Sequence, residues 1–393
     1  MHTRERWHGA RALSQTRERR PQSIAVLIGQ LGQGGSERQL YMFLARCDRT
    51  RWAPVVYVSG ALGACWEEPI RKLGIPVVRL RGGYLAKMRQ FRSACIAQET
   101  SCFFSWSSYT NGFALALTGC GVHCVGSFRN EVFADLPTRY RWLWAWMSLA
   151  GISTAVCNSC ETQMEIARHS GSRISVLFVP NGVELFAPEQ LLAWRQHWRD
   201  RLKVGKDEVL VLGVGRLHQM KRFDRFIEVI ARAEREIAVQ AVVAGDDRGR
   251  LTDLKRQIAR LRLQDKVCFI GEVPDARELM CAGDVFLLCS DHEGMPNVVL
   301  EAMAAGVPCV STRVNGVSNI IQHGVTGFVI GRDVDALAAH VVKLAADANL
   351  RRTMGRQARA IIERDFVADK VLAQLWELCE RTQPSGRDEF VFG

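Results

Sequence analysis

Short apolar runs alternate with helical patterns along almost the whole chain, and the alternation comes in two series. The first holds "SIAVLIG" (23–29), then the helical "GGSERQLYMFLARC", "APVVYVSG", a helix through Pro69 to Leu73, "IPVVRL", "CFFSWS", "HCVGSF", "STAVCNS" and "SVLFVPNGV". After a charged, tryptophan-bearing helical stretch at 188–204, the second series holds "VLVLGVGR" (209–216), "AVQAVVAG" (238–245), "DKVCFIGEV" (265–273), "GDVFLLCS" (283–290), "GVPCVST" (306–312) and "TGFVIG" (326–331). Strands separated by helices argue for βα units on parallel sheets. Two such series in 393 residues predict two doubly wound α/β domains facing across a cleft, with ligands bound beyond the carboxyl ends of the strands.

The expected division is a basic arm over 1–20, a first domain over 21–182, a second over 183–365, a helix over 366–382 returning to the first, and an unstructured tail over 383–393. The formal net charge is +11, unevenly placed: residues 1–185 hold 22 Lys/Arg against 12 Asp/Glu, an excess of ten, and the remainder is nearly neutral. A basic first half suits an anionic partner such as a membrane surface or a sugar phosphate. It equally suits a solvated surface with no partner. The excess carries no nucleic-acid-binding motif, so no nucleic-acid partner is expected. No apolar run reaches the roughly 18 residues of a membrane-spanning helix, and the N-terminus lacks a signal-peptide layout. A cytoplasmic protein, peripheral on the inner face of the membrane, is expected. Within the first domain, "RYRWLWAWMSLAG" (139–151) concentrates three tryptophans, and reads either as a buried helix or as an interfacial patch beside basic residues.

The thirteen cysteines lack regular spacing and read mostly as reduced core residues. Cys157 and Cys160 have the spacing of half a zinc site, but no second Cys/His pair follows, so no metal is expected; a strand ending where a helix begins explains the stretch.

Three stretches carry the chemistry. "IGQLGQGGSERQL" places Gly34 and Gly35 between a strand and a helix, where backbone can approach a phosphate at a helix N-terminus. The spacing is wrong for a dinucleotide fingerprint, and the second strand lacks an acid for a ribose, which disfavours a dehydrogenase. "GVGRLHQMKRFDRFIEVIARA" puts Arg216 and Lys221 on the exit loop of a strand with no acid between them, a pocket for a dianionic group, ahead of a helical core face of Phe223, Phe226, Ile227 and Ile230. In "HEGMPNVVLEAMAAGVPCVST", Pro296 fits the first turn of a helix, the "EGMPN" loop presents amides to an anion, and Glu293 and Glu301 stand at different points along a ligand. Two carboxylates beside a phosphate cradle suit the hydroxyls of sugars and riboses. A glycosidase pair is the rival reading, and it leaves the cradle unused.

"GRLHQMK", "GDVFLLCSDHEGMPNVVLEAMAAGVPCVST" and "NGVSNIIQHGVTGFVI" resemble the signature of the retaining glycosyltransferases of family 4, which have the GT-B fold, and "GGSERQL" and "CNSCETQM…VPNGVELF" agree, so the resemblance spans about residues 23–380. It implies a nucleoside diphosphate sugar donor, a UDP-sugar, with no metal required. By the same resemblance Glu301 holds the ribose, Glu293 holds hydroxyls of the transferred sugar, and Arg216 and Lys221 grip the diphosphate. Gly34 and Gly35 approach the diphosphate from the first domain, Met295, Pro296, Asn297 and Val298 complete the cradle, and the base lies near 270–274. The basic first domain and the tryptophan-rich helix point to a lipid-linked acceptor, and the resemblance points to a cell-surface polysaccharide; a soluble small-molecule acceptor and a non-catalytic nucleotide-sugar-binding subunit are the alternatives. One departure is clear. Where many members carry a histidine after "HCVGSF", this chain has Arg129 and Asn130, while His123 lies too early, inside the strand.

Overall fold

The structure is a computed structural model that describes residues 20–60, 65–133 and 136–380. The expected basic arm, but for Arg20, and the expected tail lie outside these residues.

The first series folds into a seven-stranded sheet of β1 (Gln22–Ile28), β2 (Trp52–Val58), β3 (Val77–Arg79), β4 (Cys102–Ser105), β5 (His123–Phe128), β6 (Thr154–Cys157) and β7 (Ser175–Phe178), in the order β3-β2-β1-β4-β5-β6-β7. The second forms a six-stranded sheet of β8 (Leu210–Val214), β9 (Gln240–Ala244), β10 (Val267–Gly271), β11 (Val285–Leu288), β12 (Cys309–Thr312) and β13 (Gly327–Ile330), in the order β10-β9-β8-β11-β12-β13. Both sheets are parallel throughout. Each is covered by helices on both faces, which is why the strands read as apolar runs and not as alternating patterns. In β1, Ile24 and Val26 pack with Leu40 and Phe43 of the helix Gly35–Ala45, whereas Ala25 and Leu27 face Phe91 of the helix Tyr84–Ala97. The stripe Phe223, Phe226, Ile227 and Ile230 is buried in the helix Phe223–Ala233, which packs on the second sheet.

Strand order reverses between β1 and β4 and again between β8 and β11. At such a switch the connections leave the sheet in opposite directions, opening a crevice at the strands' carboxyl ends. The two crevices face one another. The chain passes between the domains twice at one place: Val183 N–H donates to the Phe366 carbonyl at 2.8 Å, and Ala368 N–H donates to the Val183 carbonyl at 2.9 Å. Beyond this crossing, the helix Ala368–Glu380 lies on the first domain, where Trp376 stacks on Phe43 with centroids 4.1 Å apart and donates from Nε1 to the Phe43 carbonyl.

The tryptophan-rich segment resolves the two sequence readings residue by residue. In the helix Arg141–Leu149, Trp144 turns inward against Tyr84 and Tyr109, while Trp142, 72% exposed, and Trp146, 58% exposed, face outward. Among the described residues no helix is long and apolar enough to cross a membrane.

Candidate functional site

Between the domains lies a cleft of about 730 Å³, lined from the first sheet by Ile28, Gly29 and Ser107 and from the second by Val214, Gly215 and the loop 293–298. These follow β1, β4, β8 and β11, the four strands flanking the switch points. Arg216, Lys221, Glu293, Gly34, Gly35, Met295, Pro296, Asn297, Val298 and Glu301 all line this one cleft.

On the second-domain wall, Lys221 ends a short 3-10 turn after β8, and its Nζ lies 2.6 Å from Glu293 Oε1. Ser290 Oγ donates to the same oxygen at 2.7 Å, so the carboxylate is held from two sides. The loops bearing the pair are tied together beneath it. Arg222 and Arg225, just after Lys221, both bond Asp291, just before Glu293, at 2.9 and 2.8 Å. Burial works to raise the Asp291 carboxyl, but the hydrogen bonds from Arg222 and Arg225 outweigh it and hold the group below its ordinary value. Arg216, at the mouth of β8, is exposed, and among the described residues it has no carboxylate at ion-pair distance. An exposed cation on a rigid strand end is free to meet an incoming anion.

The loop after β11 runs into the helix Asn297–Ala304, with Pro296 extended at ψ 108° just outside it. The sequence reading placed Pro296 one residue too far in. Its carbonyl accepts from Val299 N–H at 3.0 Å and starts the helix, and having no N–H it adds shape but no donor to the cradle. Glu301, one turn on, is buried. Burial raises its carboxyl above the ordinary range, only partly offset by the nearby Arg38 and Arg277 guanidinium groups.

Arg38 belongs to the first domain. Its Nη1 reaches across the cleft to Glu301 Oε1 at 2.8 Å. Beside it, Gln39 Nε2 donates to the Gly182 carbonyl at 2.7 Å and to Asn297 Oδ1 at 3.3 Å, and Asn181 Nδ2 donates to Asn297 Oδ1 at 2.8 Å and to the Met295 carbonyl at 3.1 Å. Gly34 and Gly35 stand at the start of the helix that carries Arg38 and Gln39. A Cβ on Gly35 would lie 2.3 Å from Asn297 Nδ2, and one on Gly294 would lie 2.1 Å from the Arg129 carbonyl oxygen. Both glycines are sites of close contact between the domains.

Beyond β10 the cleft is lined by Glu272 through Arg277, whereas Ile270, the first residue of the stretch expected near the base, packs against the second-domain core. Asp275 caps the helix Ala276–Met280 and is bonded by Arg277 Nε at 2.8 Å, and Arg277 also reaches Glu184. On the first-domain wall, Arg129 and Asn130 follow β5 and line the cleft. His123 sits at the opposite end of that strand, 3.1 Å from Ser153 Oγ. Cys157 ends β6 and Cys160 begins the next helix. Sequence reasoning missed Arg38, Gln39, Asn181 and Arg277. Arg38 and Gln39 lie three and four residues beyond the Gly34–Gly35 pair, one turn further along the same helix, and that spacing was their only signal.

Residues 195–361 match the family model of the glycosyl transferases group 1. The N-acetyl-alpha-D-glucosaminyl L-malate synthase of Bacillus anthracis is 32% identical over 173 residues, 44% of this chain and 45% of that protein. The lipopolysaccharide core biosynthesis glycosyltransferase LpsE of Rhizobium meliloti is 29% identical over 174 residues, 44% of this chain and 50% of that protein. The chain thus spans about half the length of these curated relatives. Over a longer reach, the crystal structure of Anabaena Alr3699/HepE in complex with UDP and glucose superposes with a TM-score of 0.78 at 22% identity, covering 91% of this chain and 98% of that one. The fold is therefore GT-B, an α/β architecture of two Rossmann-like domains about a cleft.

The Arg38–Glu301 pair makes a specific energetic prediction. Arg38→Ala strands a buried carboxylate and should cost about 3 kcal/mol of stability in urea unfolding. Adding Glu301→Gln to it should restore most of the loss, because the stranded charge is then gone. Equal losses in the single and double variants would show that the pair is not coupled.

Proposed function

We propose that this chain, with its GT-B fold and a second domain matching the group 1 glycosyl transferases, is a retaining glycosyltransferase using a UDP-sugar donor. The observation that carries the reading is the convergence, in one cleft at both switch points, of two cations, the loop 295–298 and two carboxylates set apart along it. Such a set complements a ligand that is anionic in the middle and hydroxylated at both ends. Glu301 accepts from the ribose hydroxyls, Arg216 and Lys221 with the Met295, Asn297 and Val298 amides hold the diphosphate, and Glu293 accepts from hydroxyls of the transferred sugar. Lys221 has three N–H donors, so it can keep Glu293 while it takes a phosphate oxygen.

In the reaction, the bond between the sugar's anomeric carbon and the β-phosphate oxygen breaks, and its electron pair leaves with the diphosphate. The acceptor hydroxyl attacks the same face, forming the new glycosidic bond, and its proton passes to the departing phosphate oxygen. Configuration is kept and no protein nucleophile is consumed. The charge growing on the diphosphate is greatest in the transition state, so Arg216 and Lys221 bind that state more tightly than the substrate. These two side chains supply the stabilisation, and the reading requires no metal.

The acceptor proposed is lipid-linked or a cell-surface saccharide, met at the inner face of the membrane. Trp142, Leu143 and Trp146 are exposed on one helix, beside Arg139 and Arg141, and Leu85 is exposed on the neighbouring helix that carries Lys87 and Arg89. Tyr109, which packs on Trp144 behind this surface, lines the cleft. An apolar strip flanked by cations suits an anionic lipid interface and stands beside the opening through which an acceptor would enter. A soluble acceptor is the second reading, favoured by the likeness to the N-acetyl-alpha-D-glucosaminyl L-malate synthase.

UDP release should be followed from UDP-glucose, UDP-N-acetylglucosamine and related donors, with a membrane lipid extract or with L-malate. One donor should turn over with the extract, and Lys221→Ala and Glu293→Ala should each slow it by about 10²–10³. Turnover with malate alone would select the second reading, and full activity in both variants would contradict the site. Separately, Trp142→Ser with Trp146→Ser should abolish co-flotation with phosphatidylglycerol vesicles at low salt; wild-type protein that stays in solution contradicts the membrane reading.

A further inference from the structure

Among the described residues, several other enclosed arginines have a carboxylate: Arg199 meets Asp284, Arg225 meets Asp291, Arg277 meets Asp275 and Arg38 meets Glu301. Arg129 differs. Its guanidinium lies 4.0 Å from the ring centroid of Trp106, which is itself fully buried and fixed by a hydrogen bond from Nε1 to the Ser36 carbonyl. Its Nη1 donates to Asn181 Oδ1 at 3.3 Å, and its Nε is enclosed without a partner. Among the described residues no carboxylate stands within ion-pair distance of it. Burial alone pulls its pKa down to about 9, with no neighbouring charge acting against the shift.

The backbone beneath this side chain is rigidly placed. The Arg129 carbonyl accepts from Asn158 Nδ2 at 3.3 Å, and the same carbonyl abuts Gly294 so closely that no Cβ would fit there. A guanidinium seated over an indole at the cleft wall, on fixed backbone, is preorganised for a planar or tetrahedral oxyanion. Leaving such a cation enclosed and unpaired is costly, and an anionic ligand removes the cost.

We propose that Arg129, stacked on Trp106 beside Asn181, binds a second anionic group in the cleft: a carboxylate or phosphate carried by the acceptor or by the transferred sugar, separate from the donor's diphosphate. The inference rests on the donor reading above, which assigns the diphosphate to Arg216, Lys221 and the loop 295–298 of the second domain. Arg129 stands on the opposite wall, with Asn130, Asn158 and Tyr109 of the first domain. It is a specificity residue: it selects reactants that carry the extra negative charge.

The test uses the full chain and two matched pairs of probes, in calorimetric titrations. Glycerol 3-phosphate against glycerol, each added to UDP-saturated protein, reports an acceptor anion; UDP-glucuronate against UDP-glucose reports an anion on the sugar. In wild type, the anionic member of one pair should bind at least tenfold more tightly than its neutral partner. Arg129→Gln should remove that preference, and Arg129→Lys should keep part of it. UDP itself should bind both variants within twofold of wild type, which also shows that they are folded. No preference in either pair, or a preference that survives Arg129→Gln, overturns the proposal; so does a fall in UDP affinity in Arg129→Gln matching the fall for the anionic probe. Failure of UDP to bind wild type would strike the donor reading instead, and the glycerol 3-phosphate titration without UDP then decides Arg129 alone by the same criteria.

Discussion

A buried carboxylate needs a cation, and here the cation comes from the other domain. Glu301 is placed by the helix after β11 and is largely removed from water, and Arg38 supplies the compensating charge across the cleft. Around this pair, Asn297 is bonded by both Gln39 and Asn181, and Gly35 and Gly294 let the two backbones come together without side chains between them. Of these residues, all but Gln39 also line the cleft. Neither domain alone contains the candidate site.

This arrangement joins ligand recognition to the domain interface. On the proposed reading, a ribose at Glu301 would share that carboxylate with Arg38, and a sugar at Glu293 would share it with Lys221 and Ser290. Within the cleft these charges already satisfy one another, with distances of 2.8 Å and 2.6 Å in the two ion pairs. On the proposed reading, donor binding would exchange partners and would not bring bare charges out of water, which would keep the cost of loading the cleft low. Among the described residues lining the cleft, Arg216 and Arg129 are the cations not balanced in this way. One is exposed at a strand end and the other enclosed on an indole, and each is the place where an added negative charge changes the local electrostatics most.

The fold was legible because parallel strands buried on both faces read as apolar runs, and all thirteen runs are strands. The second-domain wall was legible because its residues are close in sequence: Arg216 and Lys221 share one loop, Glu293 and Glu301 one loop and helix. Contacts made by tertiary approach were hidden. Arg38 and Glu301 are separated by 263 positions, and beyond its place one turn after Gly34 and Gly35 nothing local marks Arg38 as different from any arginine on a helix. The offset of Pro296 has a similar cause, since its extended conformation belongs to a loop held by Asn181 and Asn297 and not to the helix that follows. In the tryptophan-rich helix, composition could not decide between burial and exposure. Trp142 and Trp146, four apart, share the outer face, while Trp144 between them takes the inner one.

The central claim is that the cleft recognises a nucleoside through its diphosphate, with Arg216 and Lys221 as the charge that matters. The most direct measurement is the affinity of the full chain for UDP compared with uridine, by calorimetric titration in low salt. Two charge-assisted contacts at about 1.5–3 kcal/mol each predict that UDP binds at least a hundredfold more tightly than uridine. Lys221→Ala should close most of that gap. Equal binding of UDP and uridine, or a gap untouched by Lys221→Ala, would contradict the account.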